Sequence, residues 1–184
     1  MANFARVTVL GIGALAAIAL SGCVGGPPAA VVTPAPSESP VFASEEEALA
    51  AATEAYAAYL ALGSQVASDG GENPERMGQV TAGNAYQQEL ETFKSMRSAS
   101  IRGVGGQTFD TVSVQMVDVA TGDIVVYLCL DTSTADLIDS DGTSTRSTDR
   151  ATRFPLLIEL EVAPKSGSDL SITESESWSG ENFC

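Results

Sequence analysis

The spacing of apolar and polar residues gives the chain a helical half followed by a half with strand-like alternation. Ser44 and Glu47 have the spacing of a capping box. The apolar residues behind them recur at helical intervals as far as Asp69-Gly70-Gly71, which predicts one long helix. Asn73-Pro74 predicts a short helix capped by Asn73. A third helix is predicted near residues 81–98, with a seam made of Ala82, Tyr86, Leu90, Phe93 and Met96 or Arg97.

Four strands follow, and they are predicted at residues 108–119, 124–130, 154–162 and from Leu170 towards Trp178. The first alternates, with Val112, Val114 and Met116 on one face, whereas the second is apolar on both faces, as a central strand should be. The segments between the strands are turn-forming or polar: residues 120–123, 132–150 and 164–169. Helices followed by hairpin-linked antiparallel strands form an α+β fold. We therefore expect a single domain at residues 42–184, with N-terminal helices packed on a curved four-stranded sheet.

A short apolar run at residues 7–20 precedes this domain. A membrane-spanning helix needs about 20 apolar residues, so this shorter run predicts a secretory signal instead, with Arg6 as the charge before it. Leu20-Ser21-Gly22-Cys23 at its end matches the bacterial lipobox, which favours lipidation over plain cleavage at an Ala-x-Ala site. We expect residues 1–22 to be a removed signal peptide and Cys23 to carry a diacylglyceryl group, with palmitate among its acyl chains. Two such chains are enough for stable anchoring.

Residues 23–41 are predicted to be the lipidated cysteine and a linker. Most of the prolines of the chain lie here: Pro27, Pro28, Pro34, Pro36 and Pro40. Such a composition buries too little apolar surface to fold and favours an extended stalk of about 3.1 Å per residue. The stalk would hold the domain off the membrane; a motif for a proline-recognising partner is the alternative.

The charge of the chain restricts its partners. It has 24 acidic residues against 9 lysines and arginines, for a net charge of −15, and loss of Arg6 with the signal peptide would make this −16. Nucleic acid is excluded as a partner because its affinity depends on lysine and arginine contacts to phosphate. A second, electrostatic attachment to anionic lipid is disfavoured as well. Solubility explains the acidity, and capture of a cationic ligand is the alternative.

Cysteine usage points to one disulfide. With Cys23 lipidated, Cys129 and Cys184 are left in an oxidising, exported location, and they can form a single intramolecular pair. That bridge would tie the central strand to the C-terminal residues. Free thiols or an intermolecular bridge are the alternatives.

The order of these features resembles that of actinobacterial lipoproteins with an NTF2-like (cystatin-like, cone-shaped) domain. In that group a lipobox and a proline-rich stalk precede a tyrosine-bearing helix, a strand carries Cys-x-Asp (here Cys129-Leu130-Asp131), and a second cysteine follows near the end. The resemblance covers residues 42–184 and implies a cone of helices and sheet. A tryptophan often opens the final strand of such proteins, whereas here Leu170 has that place and Trp178 lies further on.

No catalytic residue, metal or cofactor is predicted. The absence of histidine excludes Ser-His-Asp and Cys-His catalysis. NTF2-like enzymes can pair an aspartate base with tyrosine or acid donors. The residues of those types are Tyr56, Tyr59, Tyr86, Tyr127, Asp110, Asp118 and Asp131, but no motif unites them, and Asp131 fits a turn better. Asp136, Asp139 and Asp141-Gly142 suggest a calcium loop, yet the EF-hand spacing fails because Leu137 and Thr148 would fall at its first and last positions.

The expected function is that of a non-catalytic lipoprotein on the extracytoplasmic face of the cell membrane. Its partners would be the membrane, through the lipid anchor, and a small hydrophobic ligand or an envelope protein. Two alternatives stay open. One is a small enzyme of the isomerase or cyclase kind, which requires a carboxylate of raised pKa inside the cone. The other is an accessory subunit of an envelope complex, which an exposed apolar patch would favour.

Overall fold

The computed structural model describes residues 39–163 and 169–184, which form helices and then strands within one compact unit. The helices are α1 (Glu45–Ser68), the 3-10 helix η1 (Pro74–Gln79) and α2 (Gly83–Ser98). The strands are β1 (Arg102–Val104), β2 (Thr108–Asp118), β3 (Asp123–Asp131), β4 (Asp136–Ile138), β5 (Arg153–Val162) and β6 (Leu170–Ser177). The predicted signal peptide, Cys23, nearly all of the linker and most of the turn at residues 164–169 lie outside the described residues.

The start of α1 confirms the predicted capping box. The Ser44 hydroxyl accepts a hydrogen bond from the Glu47 backbone N–H at 3.2 Å, and the Glu47 carboxylate accepts one from the Ala43 N–H at 2.8 Å. Asn73 occupies the predicted N-cap position of η1, with Pro74 at the start of the helix, but its side chain does not cap the helix. Asn73 adopts a left-handed conformation with φ of 49° and makes no side-chain capping bond. Asparagine tolerates that conformation, and here it turns the chain into η1.

The four long strands form one antiparallel sheet in the order β2-β3-β5-β6, which confirms the predicted α+β fold of helices followed by four antiparallel strands. Within the described residues β2 and β6 are its two edges, so the sheet is not closed. The segment before α2 lies along the β6 edge. There Ile172 donates to the Val80 carbonyl at 2.9 Å and accepts from the Ala82 N–H at 2.8 Å.

The main core lies between α1 and the sheet. Its fully buried side chains include Tyr56 on α1, Leu128 on β3, Ile158 and Leu160 on β5, and Ile172 on β6. A second, smaller cluster joins α1, η1 and α2. It consists of Val66, Met77, Phe93 and Met96. The helices therefore have one core against the sheet and another among themselves.

The prediction that Met116 shares one face of β2 with Val112 and Val114 is wrong. Its side chain is 50% exposed, while Val117 packs against the core. The pairing of β2 with β3 shifts between Val114 and Met116, as in a β-bulge. An extra residue in one strand moves every later side chain to the opposite face, so the simple alternation of the sequence fails at that point.

A second, two-stranded sheet made of β1 and β4 was not predicted. We call it the β1–β4 ribbon; in it Gly103 pairs with Leu137 and Val104 with Asp136. A Cβ atom on Gly103 would lie 2.8 Å from the Cβ of Ala67, so glycine allows β1 to lie directly against α1. The ribbon lies beside the helices and outside the main sheet.

Candidate functional site

A cavity of about 260 Å³ lies where α1, α2 and the β1–β4 ribbon meet. Its wall is largely apolar and is built from side chains of all three parts: Leu60, Ala67, Phe93, Met96, Val104 and Leu137. Small-molecule sites are typically apolar concavities with a few polar groups that orient the ligand. This cavity has that composition and is the candidate functional site.

The charged group on the helical side of the cavity is the carboxylate of Glu89. It is half-buried, and the Tyr59 hydroxyl on α1 donates a short hydrogen bond to its Oε1. Burial raises the pKa of Glu89 above its usual value, and the hydrogen bond from Tyr59 partly offsets the rise. Burial and the neighbouring Glu89 carboxylate also raise the pKa of Tyr59, so its hydroxyl keeps its proton.

The rings around Tyr59 fix the position of this pair. Tyr56 lies next to Tyr59 with 5.5 Å between the ring centroids, and Phe109 meets Tyr56 edge-on at 4.9 Å. Tyr56 is fully buried, and burial together with the nearby Glu89 raises its pKa. The packed rings of Tyr56 and Phe109 therefore fix the position of Tyr59 and of the hydrogen bond that it donates to Glu89.

The charged groups on the ribbon side are Asp136 and Arg146. The Arg146 guanidinium donates to the Ala135 carbonyl at 2.8 Å, and Asp136 accepts from the Ser144 hydroxyl at 2.9 Å. Arg150 holds the same loop by donating to the Thr132 carbonyl at 3.1 Å. These bonds give the polar segment between β3 and β5 a defined shape where it borders the cavity.

The aspartates named from the sequence as a potential catalytic set do not border this cavity. Asp110 pairs with Arg153, Asp118 accepts from the Ala120 N–H, and Asp131 accepts from the Ser133 N–H in a turn. Of the four tyrosines, Tyr59 lines the cavity, while Tyr127 packs against Trp178 with 5.0 Å between centroids.

Sequence reasoning missed Glu89, one acid among 24. The signal was nevertheless present, because Glu89 lies three residues after Tyr86 and four before Phe93, on the predicted apolar seam of α2. An acid on an apolar seam is unusual, since buried carboxylates are costly unless they have a partner. Within the described residues no group of three or more acidic or cysteine side chains is placed to hold a metal ion.

The predicted disulfide lies near the C-terminal end of β3. Cys129 on β3 is fully buried and is joined to Cys184, with 5.7 Å between their Cα atoms. This confirms the predicted pairing of the two cysteines. The bridge brings the C-terminal residues back onto β3, where Phe183 and Trp178 both contact Tyr127.

We expect Glu89→Gln to raise the free energy of unfolding near neutral pH, and to do so less as the pH falls. Because burial raises the pKa of Glu89, the folded state is favoured while the carboxyl is protonated, and that contribution is lost as the pH rises through the raised value. Glutamine keeps an acceptor for Tyr59 without the charge. Urea unfolding between about pH 4 and about pH 8 measures this. The control is Glu91→Gln on the exposed face of α2, and a Glu89→Gln effect that does not vary with pH would contradict the prediction.

Comparison with known proteins gives information about the fold only. No family model matches the chain, and no curated protein is significantly similar to it. Among solved structures, it is similar to the crystal structure of the intermembrane space region of the chloroplast protein ARC6. The TM-score is 0.53 at 16% identity, over 70% of this chain and 95% of that one. Among residues 39–163 and 169–184, no helix combines the length and apolarity needed to cross a membrane.

Proposed function

We propose that this chain is a lipoprotein anchored on the extracytoplasmic face of the cell membrane, with a domain that binds a small, largely hydrophobic ligand without catalysis. The anchor is supported by the apolar run at residues 7–20 and the lipobox that ends at Cys23. Residues 23–41 would then space the domain from the membrane. The strongly acidic composition suits a domain that does not itself adhere to anionic lipid.

We assign the domain to the NTF2-like class as part of this proposal. The order of helices before an open, four-stranded antiparallel sheet supports it, as does the packing of α1 on one sheet face. In a cone of that class, ligands would enter between helix and sheet. Here that space is occupied by buried side chains, among them Tyr56 and Ile158, so the ligand would use the cavity beside the ribbon instead.

The cavity itself is the observation that carries the binding function. A space of about 260 Å³ that combines apolar walls with a half-buried, hydrogen-bonded carboxylate has the composition of a small-molecule site. A ligand there would cover the apolar walls and meet the carboxylate. Its volume would be that of a small molecule, since the cavity is at the lower limit of typical ligand pockets.

A small enzyme is the second candidate, and the Tyr59–Glu89 pair favours it. A cavity carboxylate of raised pKa next to a tyrosine hydroxyl has the parts of a general acid–base pair. The two candidates differ in one measurement. An enzyme loses turnover in Glu89→Gln while it still binds its ligand, whereas a binding protein shows no turnover in either form.

Membrane attachment is tested through Cys23. We expect radioactive fatty acid to label the protein in cells and to be lost completely in Cys23→Ala, with the unlabelled variant no longer in the lipid-anchored fraction. Ser37→Ala, which changes the linker outside the motif, is the matched control and should label fully. Labelling that persists in Cys23→Ala would overturn the anchor.

Ligand binding is tested by thermal shift on a chain that begins at Ser39, the first described residue. Candidates are lipids, sterols, quinones, cell-wall fragments and small amines. A ligand at 100 times its dissociation constant stabilises the protein by about 2.7 kcal/mol, which raises the melting temperature by several degrees. Ser64→Phe places bulk in the cavity wall and should abolish the shift. A shift unaffected by Ser64→Phe would place the ligand elsewhere, and no shift at all would favour a protein partner.

A further inference from the structure

The cavity has charged side chains at both ends, and the two ends differ in the partners that these side chains already have within the protein. At the ribbon end, Arg146 is bonded to the Ala135 carbonyl, and Asp136 adds a nearby charge of opposite sign. At the helical end, no cation among the described residues pairs with Glu89, and only Tyr59 donates to its carboxylate. One carboxylate oxygen of Glu89 is therefore left for another donor.

The ionisable groups near Glu89 do not supply that donor. On α1 these are the neutral hydroxyls of Tyr59 and Tyr56, and across the cavity they are Asp136 and Arg146. Arg146 shares the cavity wall without forming an ion pair with Glu89. The charge of the whole chain, −15, adds a field that attracts cations and repels anions.

The apolar wall begins next to this carboxylate. Phe93 lies one helical turn after Glu89, and Met96 and Leu60 continue the same surface. The thioether side chain of Met adapts its shape to an apolar body, and the face of an aromatic ring attracts a nearby cation. The volume of about 260 Å³ accommodates a compact body such as a single ring or a short alkyl chain.

We infer that the cavity selects an amphipathic amine, with the ammonium group on Glu89 and a compact apolar body against Phe93, Met96 and Leu60. This inference rests on the proposed ligand-binding function and names the class of ligand. The ammonium donates to the free oxygen of Glu89 in a charge-assisted hydrogen bond while Tyr59 holds the other oxygen.

The experiment compares 2-phenylethylamine, 2-phenylethanol and phenylacetate, which share one apolar body and differ in the polar group. Isothermal titration calorimetry on the full-length protein in phosphatidylcholine nanodiscs measures each affinity, with empty nanodiscs subtracted. We expect the amine to bind about tenfold more tightly than the alcohol, and the carboxylate more weakly than either. Glu89→Gln should bring the amine close to the alcohol, while the matched variant Glu91→Gln should leave the preference intact.

A second measurement uses the unaltered protein. Lowering the pH from about 8 to about 5 should weaken binding of the amine as Glu89 takes up a proton, and should leave the alcohol unchanged. Equal or tighter binding of phenylacetate, or an amine preference that survives Glu89→Gln, overturns the inference but leaves a binding cavity in place. Failure of all three compounds to bind overturns the inference, whereas failure of the whole thermal-shift screen overturns the proposed function.

Discussion

Replacement of Cys184 by serine is expected to lower the free energy of unfolding by about 4 kcal/mol. The bridge to Cys129 spans a sequence separation of 55 residues, and without it the unfolded chain regains the entropy of that loop. The folded state also loses contacts, because the Arg153 guanidinium donates to the Cys184 carbonyl and Phe183 contacts Tyr127. For a domain of this size we expect the melting temperature to fall by about 10 °C or more.

Cys184 is the better of the two positions for this test. Cys129 is fully buried, so a serine there would add an unsatisfied hydroxyl to the loss of the bridge, whereas Cys184 is only partly buried. Thermal unfolding with and without a reducing agent gives the internal control. The reductant should lower the melting temperature of the unaltered protein and leave Cys184→Ser unchanged. Trp178 fluorescence reports release of the C-terminal residues from Tyr127. A loss below about 1 kcal/mol would show that the bridge contributes little.

Gly105→Ala is expected to destabilise the β1–β4 ribbon and to abolish ligand binding, at a cost of about 3 kcal/mol in the free energy of unfolding. Gly105 has φ of +75°, and a Cβ atom there would overlap the Thr134 carbonyl oxygen. The backbone on both sides would have to shift, and Gly105 lines the cavity together with its neighbours on the ribbon. The lost binding would therefore come from a displaced wall.

Gly106→Ala is the matched control for this substitution. Gly106 also lines the cavity, but no atom lies within 4 Å of the position that its Cβ would take. We expect that variant to change stability by less than about 1 kcal/mol and to keep its ligand. Hydrogen exchange in β1 and β4 distinguishes the two variants, since it should rise in Gly105→Ala alone. Equal hydrogen exchange and equal ligand binding in the two variants would contradict the role of Gly105 in shaping the cavity wall.

The local features of the fold were determined by the sequence. The capping box at Ser44 and the glycines after Asp69 set the ends of α1, because caps and stops act within one helical turn. The apolar run of β3 predicted a strand covered on both faces, and its neighbours alternate as strands half-exposed to water do. Cysteine arithmetic also named the pair that the structure joins.

The tertiary structure alone decided the features that depend on distant partners. The bulge that exposes Met116 is a property of the pairing of β2 with β3, and local alternation carries no trace of it. The strands of the β1–β4 ribbon are three residues each and exist only because the β2–β3 hairpin between them brings them together.

The candidate site also depends on residues that are distant in the sequence. From the sequence, Glu89 is one acid on a helix. In the structure, Tyr59 of α1 donates to its carboxylate, and the ribbon forms the other side of the cavity. Helix and strand periods follow from neighbours a few residues apart, so a sequence reveals them. Burial of a carboxylate, and with it the direction of its pKa shift, follows from which surfaces pack together, and that is set only when the whole chain folds.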